Sequence, residues 1–125
     1  MVDQFIKQKY LNIETFRKSG IGVKTPVWFA QAGPGKAIYV RTVDNSAKVR
    51  RIRNNGQVNV APCKVDGSLL GEWIPAMARE IKDVAIEREV DRLLDQKYGL
   101  MKKLIALAST LQGRNYSIIE CKVRE

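Results

Sequence analysis

The sequence predicts a mainly β protein of the α+β class: a small barrel-like antiparallel sheet, with a short helix after the third strand and a helical pair before the last. Three observations predict it. Apolar and polar residues alternate over several short segments separated by glycine, proline, asparagine and aspartate turns. One stretch, 84–112, changes to apolar spacings of three and four. A final alternating segment follows it, and a curled sheet capped by helices is the economical way to bury all these faces.

Size and composition set the bounds. A chain of 125 residues with 45% hydrophobic and 28% charged residues reads as one folded domain, 1–125, with a real core and neither repeat nor linker. No apolar run approaches the ~18 residues that would span a bilayer, and the charged N-terminal segment MVDQFIKQKY does not read as a secretory signal. A cytoplasmic protein is the expectation. Its two cysteines, Cys63 and Cys121, fall inside predicted strands and are expected to be buried, reduced thiols. Histidine is absent, which removes Ser-His-Asp and Cys-His nucleophiles and leaves few ligands for zinc.

The elements follow in order. Leu11 to Arg17 reads as a first strand, with Leu11, Ile13 and Thr15 on one face. Ser19-Gly20-Ile21-Gly22 is a turn, and Val23 to Gln31, rich in β-branched and aromatic residues, a second strand. Pro26 cannot donate to a ladder, so that strand is expected to be bulged or at an edge there. The glycines of Ala32 to Lys36 signal a hairpin, which makes Ala37 to Val43 a third strand antiparallel to the second. A basic helix carrying Lys48, Arg50, Arg51 and Arg53 follows and stops at Asn54-Asn55-Gly56. Gln57 to Cys63 is the fourth strand. Leu69 to Ile81 reads as a longer strand interrupted near Pro75, after a turn at Asp66-Gly67. Val90, Leu93, Leu94, Met101, Leu104, Ile105, Ala108 and Leu111 form a helical stripe, broken into two helices at Gly99. Tyr116 to Val123 closes the sheet.

Charge is unevenly distributed along this order. The net charge is +9, and residues 1–60 hold eleven Lys/Arg against three Asp/Glu, whereas residues 61–125 hold eleven against ten. An anionic partner facing the first half is implied. The passage into the basic helix says where. Thr42, Ser46 and Lys48 surround one helix N-terminus, where free backbone N–H groups and the positive end of the dipole favour an anion. Ser46 also serves as N-cap. A phosphate is therefore expected there.

Thr42, Ser46 four positions on and Lys48 two further, after an apolar strand, resemble the phosphate-binding signature of the pyridoxamine 5′-phosphate oxidase-like flavin proteins. Lys24-Thr25-Pro26-Val27-Trp28-Phe29 looks like the family strand that lies along the isoalloxazine ring. With VRRIRNN, APCKVDG, the AMARE run and the Lys97-Tyr98-Gly99 break, the match covers nearly the whole chain and is closest to the subgroup that uses a deazaflavin coenzyme. The resemblance implies a split β-barrel that forms a two-fold homodimer, with two cofactor sites between the subunits. It implies FMN or the deazaflavin coenzyme F(420) as cofactor and hydride transfer to or from a small-molecule substrate. Lys48, Ser46 and Thr42 would hold phosphate, with Arg41 and Arg50 as further candidates, and Lys24, Thr25, Pro26 and Val27 would line the ring. Val43 departs from the Asn usual in FMN members, and the chain has no obvious equivalent of the oxidases' C-terminal substrate-binding residues.

The hydride chemistry of such a cofactor belongs to its ring, which suits a chain with no evident acid–base pair. Tyr39, Tyr98 and Arg79 are the candidates that a proton-transfer role would draw on, and Trp28 and Trp73 those that would cover a ring face; packing is the ordinary use of all five positions. The rival reading is a non-enzymatic basic module, either a cofactor-holding sensor or a small barrel whose Arg50, Arg51 and Arg53 meet a nucleic-acid backbone.

Overall fold

The computed structural model describes Gln4, Phe5 and residues 7–33, 35–99 and 116–123. Seven strands and two helices are present among them: β1 Tyr10–Phe16, β2 Gly22–Val27, β3 Ala30–Gln31, β4 Ile38–Val43, α1 Ala47–Asn54, β5 Gln57–Cys63, β6 Ile74–Ile81, α2 Val84–Tyr98 and β7 Tyr116–Val123. All pairings are antiparallel, in the order β2-β1-β5-β6-β7-β4-β3. The two edge strands, β2 and β3, are separated in sequence only by Trp28 and Phe29. The sheet is thus curled until its edges meet through the covalent chain. It is a half-open barrel closed by two residues.

The period-2 pattern sorts side chains onto two faces. Leu11 and Ile13, Ile38 and Val40, Val58 and Val60, Ala76 and Ala78, and Ile119 and Cys121 all point into the barrel core. Val49 and Ile52 of α1 join that core from one end, and Phe29 adds a large ring that is 1% exposed. On the outer face Ala30, Ile81 and Ile118 pack under Val90 and Leu94 of α2. Both cysteines are free and buried, and burial pushes the Cys121 thiol up to about 12.

Two expected strands are redrawn. The run Val23 to Gln31 is not one strand: β2 pairs with β1, and only β3 forms the expected hairpin with β4. The physical cause is the curl. A continuous strand would have to leave one edge of the sheet and join the other, so the ladder breaks where Phe29 turns into the core and Trp28 stacks on Tyr98, with ring centroids 4.1 Å apart and 6° between planes. The strand expected from Leu69 begins only at Ile74; before it, residue 69 makes a single bridge to Cys63 and Leu70 is exposed. Pro75 does not interrupt it. Pairing with β7 begins at Ala76, so Pro75 faces a ladder on one side only, opposite Asn59 of β5. The first helix of the expected pair is α2, which stops at Gly99 with φ 54°; the second lies outside the described residues.

Candidate functional site

The strand–turn–helix passage from β4 to α1 is built as its residues require. Thr42 shares parity with Ile38 and Val40 and ends their inward row, opposite Ser117 of β7. The chain then turns through Asn45, whose φ of 54° suits asparagine. Ser46 follows with extended φ and ψ, and its hydroxyl accepts from the Val49 N–H at 3.4 Å, the bond of an N-cap.

One turn into the helix, cations converge. Lys48 is half-buried, and desolvation, followed by the proximity of Arg51, holds its ammonium below the ordinary lysine value. Arg51 donates from Nε to the Thr15 hydroxyl of β1 at 2.6 Å, and burial, then Arg17 and Arg50, hold its guanidinium below the ordinary value. Arg17, Lys48, Arg50 and Arg51 make no ion pair with any carboxylate among the described residues. Like charges gathered without a counter-ion favour an anion in their midst.

Two neighbouring arginines are engaged elsewhere. Arg53 forms a two-pronged pair with Glu80, Nε to Oε1 at 2.9 Å and Nη2 to Oε2 at 3.0 Å, and also donates to Asn45. Arg41, with parity opposite to Thr42, lies on the other face of β4; it pairs with Asp91 of α2 at 3.0 Å and stacks 4.6 Å from the Tyr116 ring centre. The structure therefore separates Arg41 from the Thr42 side of the strand and leaves Arg50 exposed beside Arg51.

The residues expected to line a ring occupy the edge strand β2. Pro26 is exposed at the edge, as its missing donor requires, opposite Asn12 of β1. Thr25 and Val27 share the inward parity, and Val27 packs against the core. Lys24 faces outward, with Nζ 5.5 Å from the Trp73 ring centre. The cation cluster adjoins this edge, because Thr15, which holds Arg51, is the register partner of Val23. Sequence reasoning missed Thr15 and Arg17. The available signal was the inward parity of Thr15, which aims a hydroxyl at the barrel end that α1 covers.

The aromatic and acid–base candidates are committed to the fold. Trp28 is stacked on Tyr98, and the Tyr98 hydroxyl donates to the Lys9 carbonyl at 2.7 Å while accepting from the Phe29 N–H at 3.1 Å. Tyr39 and Arg79 both donate to Glu120, which is 5% exposed, and burial followed by that hydrogen bond raises the Tyr39 pKa. Among the described residues there is no group of three or more His, Cys, Asp or Glu that would hold a metal ion, and no helix long and apolar enough to cross a membrane.

No protein-family model matches the chain, and no curated protein is similar to it in sequence. Solved structures are similar in shape. The heme storage protein HutZ of Vibrio cholerae matches at a TM-score of 0.70 with 17% identity, over 95% of this chain and 84% of that one. A candidate pyridoxamine 5′-phosphate oxidase from Listeria innocua matches at 0.65 with 12% identity, over 95% and 86%. An F(420) reductase matches at 0.58 with 16% identity, over 98% and 91%. At such identities the likeness establishes the fold. The chain is a split β-barrel, the architecture of the pyridoxamine 5′-phosphate oxidase-like proteins.

Proposed function

We propose that the protein binds a phosphate-bearing flavin or deazaflavin, FMN or coenzyme F(420), and acts as an oxidoreductase on a small substrate. The observation that carries this is the half-buried Lys48, gathered with Arg51 and Arg17 at a capped helix start, with no carboxylate among the described residues to neutralise them. A dianionic phosphate restores to Lys48 the stabilisation that desolvation removes, and Ser46 and Thr42 add hydroxyls on the same passage. From there the edge strand β2 leads away through Thr25, Pro26 and Val27, offering an unpaired backbone edge along which a flat ring can lie. Arg41 drops out of the phosphate set because Asp91 engages it; Arg50 is retained as a peripheral contact.

The bound ring supplies hydride transfer. The chain's own part is to anchor the phosphate, orient the ring against β2 and exclude water. A second copy of the chain completes each site in this reading, and a cytoplasmic homodimer is the working form. The F(420) reductase among the structural neighbours supports a redox role, while the heme storage protein is the reason to test whether the barrel holds a cofactor without turnover. Nucleic acid is the weaker alternative, because Glu80 and Asp44 already neutralise Arg53 of the basic stripe.

The test is a side-by-side titration of the apo-protein with FMN and with F(420), followed by visible absorbance and fluorescence quenching. Saturable binding of either is expected. Lys48→Ala should weaken it by about tenfold or more, since a charge-assisted hydrogen bond contributes about 1.5–3 kcal/mol. Unchanged affinity in Lys48→Ala removes the phosphate from this helix.

A further inference from the structure

At the opposite end of β1 from the cation cluster, a cavity of about 280 Å³ opens between β3 and the last turns of α2. Arg51 meets β1 at Thr15, whereas Tyr98 meets the chain at Lys9, just before the strand starts. Six residues of extended chain separate the two regions by roughly 20 Å. The cavity wall is apolar where Phe5, Phe29 and Leu93 form it, and Lys97, Gln96 and Lys7 supply its polar groups. Among the described residues no carboxylate lines it.

Lys97 is the unusual member. Its Nζ donates to the Phe29 carbonyl at 3.2 Å and sits 3.2 Å from the centre of the Phe29 ring, with the Tyr98 ring centre at 5.4 Å. Both partners are uncharged. A cation held against a ring and a carbonyl at the cavity wall has lost much of its hydration without gaining a counter-ion among the described residues, and desolvation lowers its pKa to about 8. Among the described residues the other ionisable group of the lining, Lys7, is also a cation.

We propose that this cavity is a second small-molecule site, specific for a compact apolar carboxylate whose acid group meets the Lys97 ammonium and whose carbon skeleton lies against Phe5, Phe29 and Leu93. The apolar walls supply affinity by burial and the single buried charge supplies orientation, the usual division of labour in a ligand pocket. A neutral ligand of the same shape leaves the ammonium without a counter-ion. Discrimination by charge is therefore the signature of the site.

The experiment uses the whole chain and benzoate as probe, with benzamide as its neutral isostere, followed by amide chemical shifts and calorimetry. Benzoate is expected to bind at least tenfold tighter than benzamide, with shifts centred on Phe29, Leu93 and Lys97. Lys97→Met should erase that preference, and Leu93→Trp, which fills the cavity without touching the charge, should weaken both probes. The proposal is overturned if neither probe binds, if benzamide binds as well as benzoate, or if Lys97→Met keeps the preference. Should Lys97→Met fail to fold, retention of benzoate binding by Leu93→Trp overturns it as well.

Discussion

Lys48 and Arg53 stand five positions apart on one short helix, and their surroundings give them opposite work. Arg53 grips Glu80, whose carboxyl this pairing and then the Ser117 hydroxyl hold below the ordinary glutamate range. Arg53→Ala is expected to lower the urea midpoint and to leave cofactor affinity unchanged. Because the folded pKa of Glu80 is depressed, its share of stability is present above the unfolded glutamate value and fades as pH falls through the folded one. Lys97 gives the same slope for the opposite reason, since its charged form is the one that folding disfavours. Its ammonium falls to about 8 from an ordinary 10.5, so between these values the unfolded chain keeps a proton that the folded chain has shed. The wild type should therefore gain stability relative to Lys97→Met as pH rises from 8 to 10.5, measured by urea melts at each pH. A parallel course for the two proteins across that window would show that Lys97 is not desolvated. Tyr98→Phe removes the acceptor of the Phe29 N–H and the donor to the Lys9 carbonyl, and should cost about 1–3 kcal/mol in the same assay.

Among the elements, the joint between β2 and β3 decides most. Trp28 and Phe29 carry the chain across the barrel opening, and α2 pins them by the Tyr98 stack and the Lys97 contact to the Phe29 carbonyl. The edge strand β2 is thus held in place by the last turn of a helix 69 residues later in the chain. The link from α1 to β5 is as tight. The Gly56 carbonyl accepts from the Ala78 N–H of β6 at 2.7 Å, and a Cβ on Gly56 would lie 2.8 Å from the Ala78 carbonyl oxygen. Gly56→Ala should destabilise the fold by about 1–3 kcal/mol, since a backbone atom has to give way. It should also weaken the proposed cofactor binding, because the same link sets where α1 presents Lys48. A midpoint unchanged in urea would mean that the link is slack.

For the molecule as a whole, residues 1–60 carry a net charge of +8 and residues 61–125 only +1, and the fold brings Arg17, Lys48, Arg50 and Arg51 of the first part together at one end of the barrel. Sedimentation of the purified chain should give twice its 14.1 kDa mass if each cofactor site is completed by a second copy. Raising salt from 50 to 200 mM should lower cofactor affinity only modestly, because a partly buried contact is screened less than a surface one. A fall of the thousandfold kind that accompanies many backbone-phosphate contacts would instead favour nucleic acid.

Local pattern alone determined much of this protein. Alternation placed β1, β4, β5 and β7 within a residue or so, since a half-buried strand has to alternate, and Ser46 and Gly99 marked helix ends because caps are read within four residues. The Thr42, Ser46 and Lys48 spacing was legible for the same reason: one turn and one helix start carry it. Tertiary structure decided what depends on distant partners. Whether Val23 to Gln31 is one strand or two rests on which edges the curl brings together. Whether Arg41, Arg50, Arg51 or Arg53 is available to an anion rests on where Asp91 and Glu80 lie, and Thr15 and Arg17 entered the cluster only because α1 folds over the end of β1. A charge acquires its role from the counter-charge that folding brings beside it or withholds, and no spacing along the chain records that.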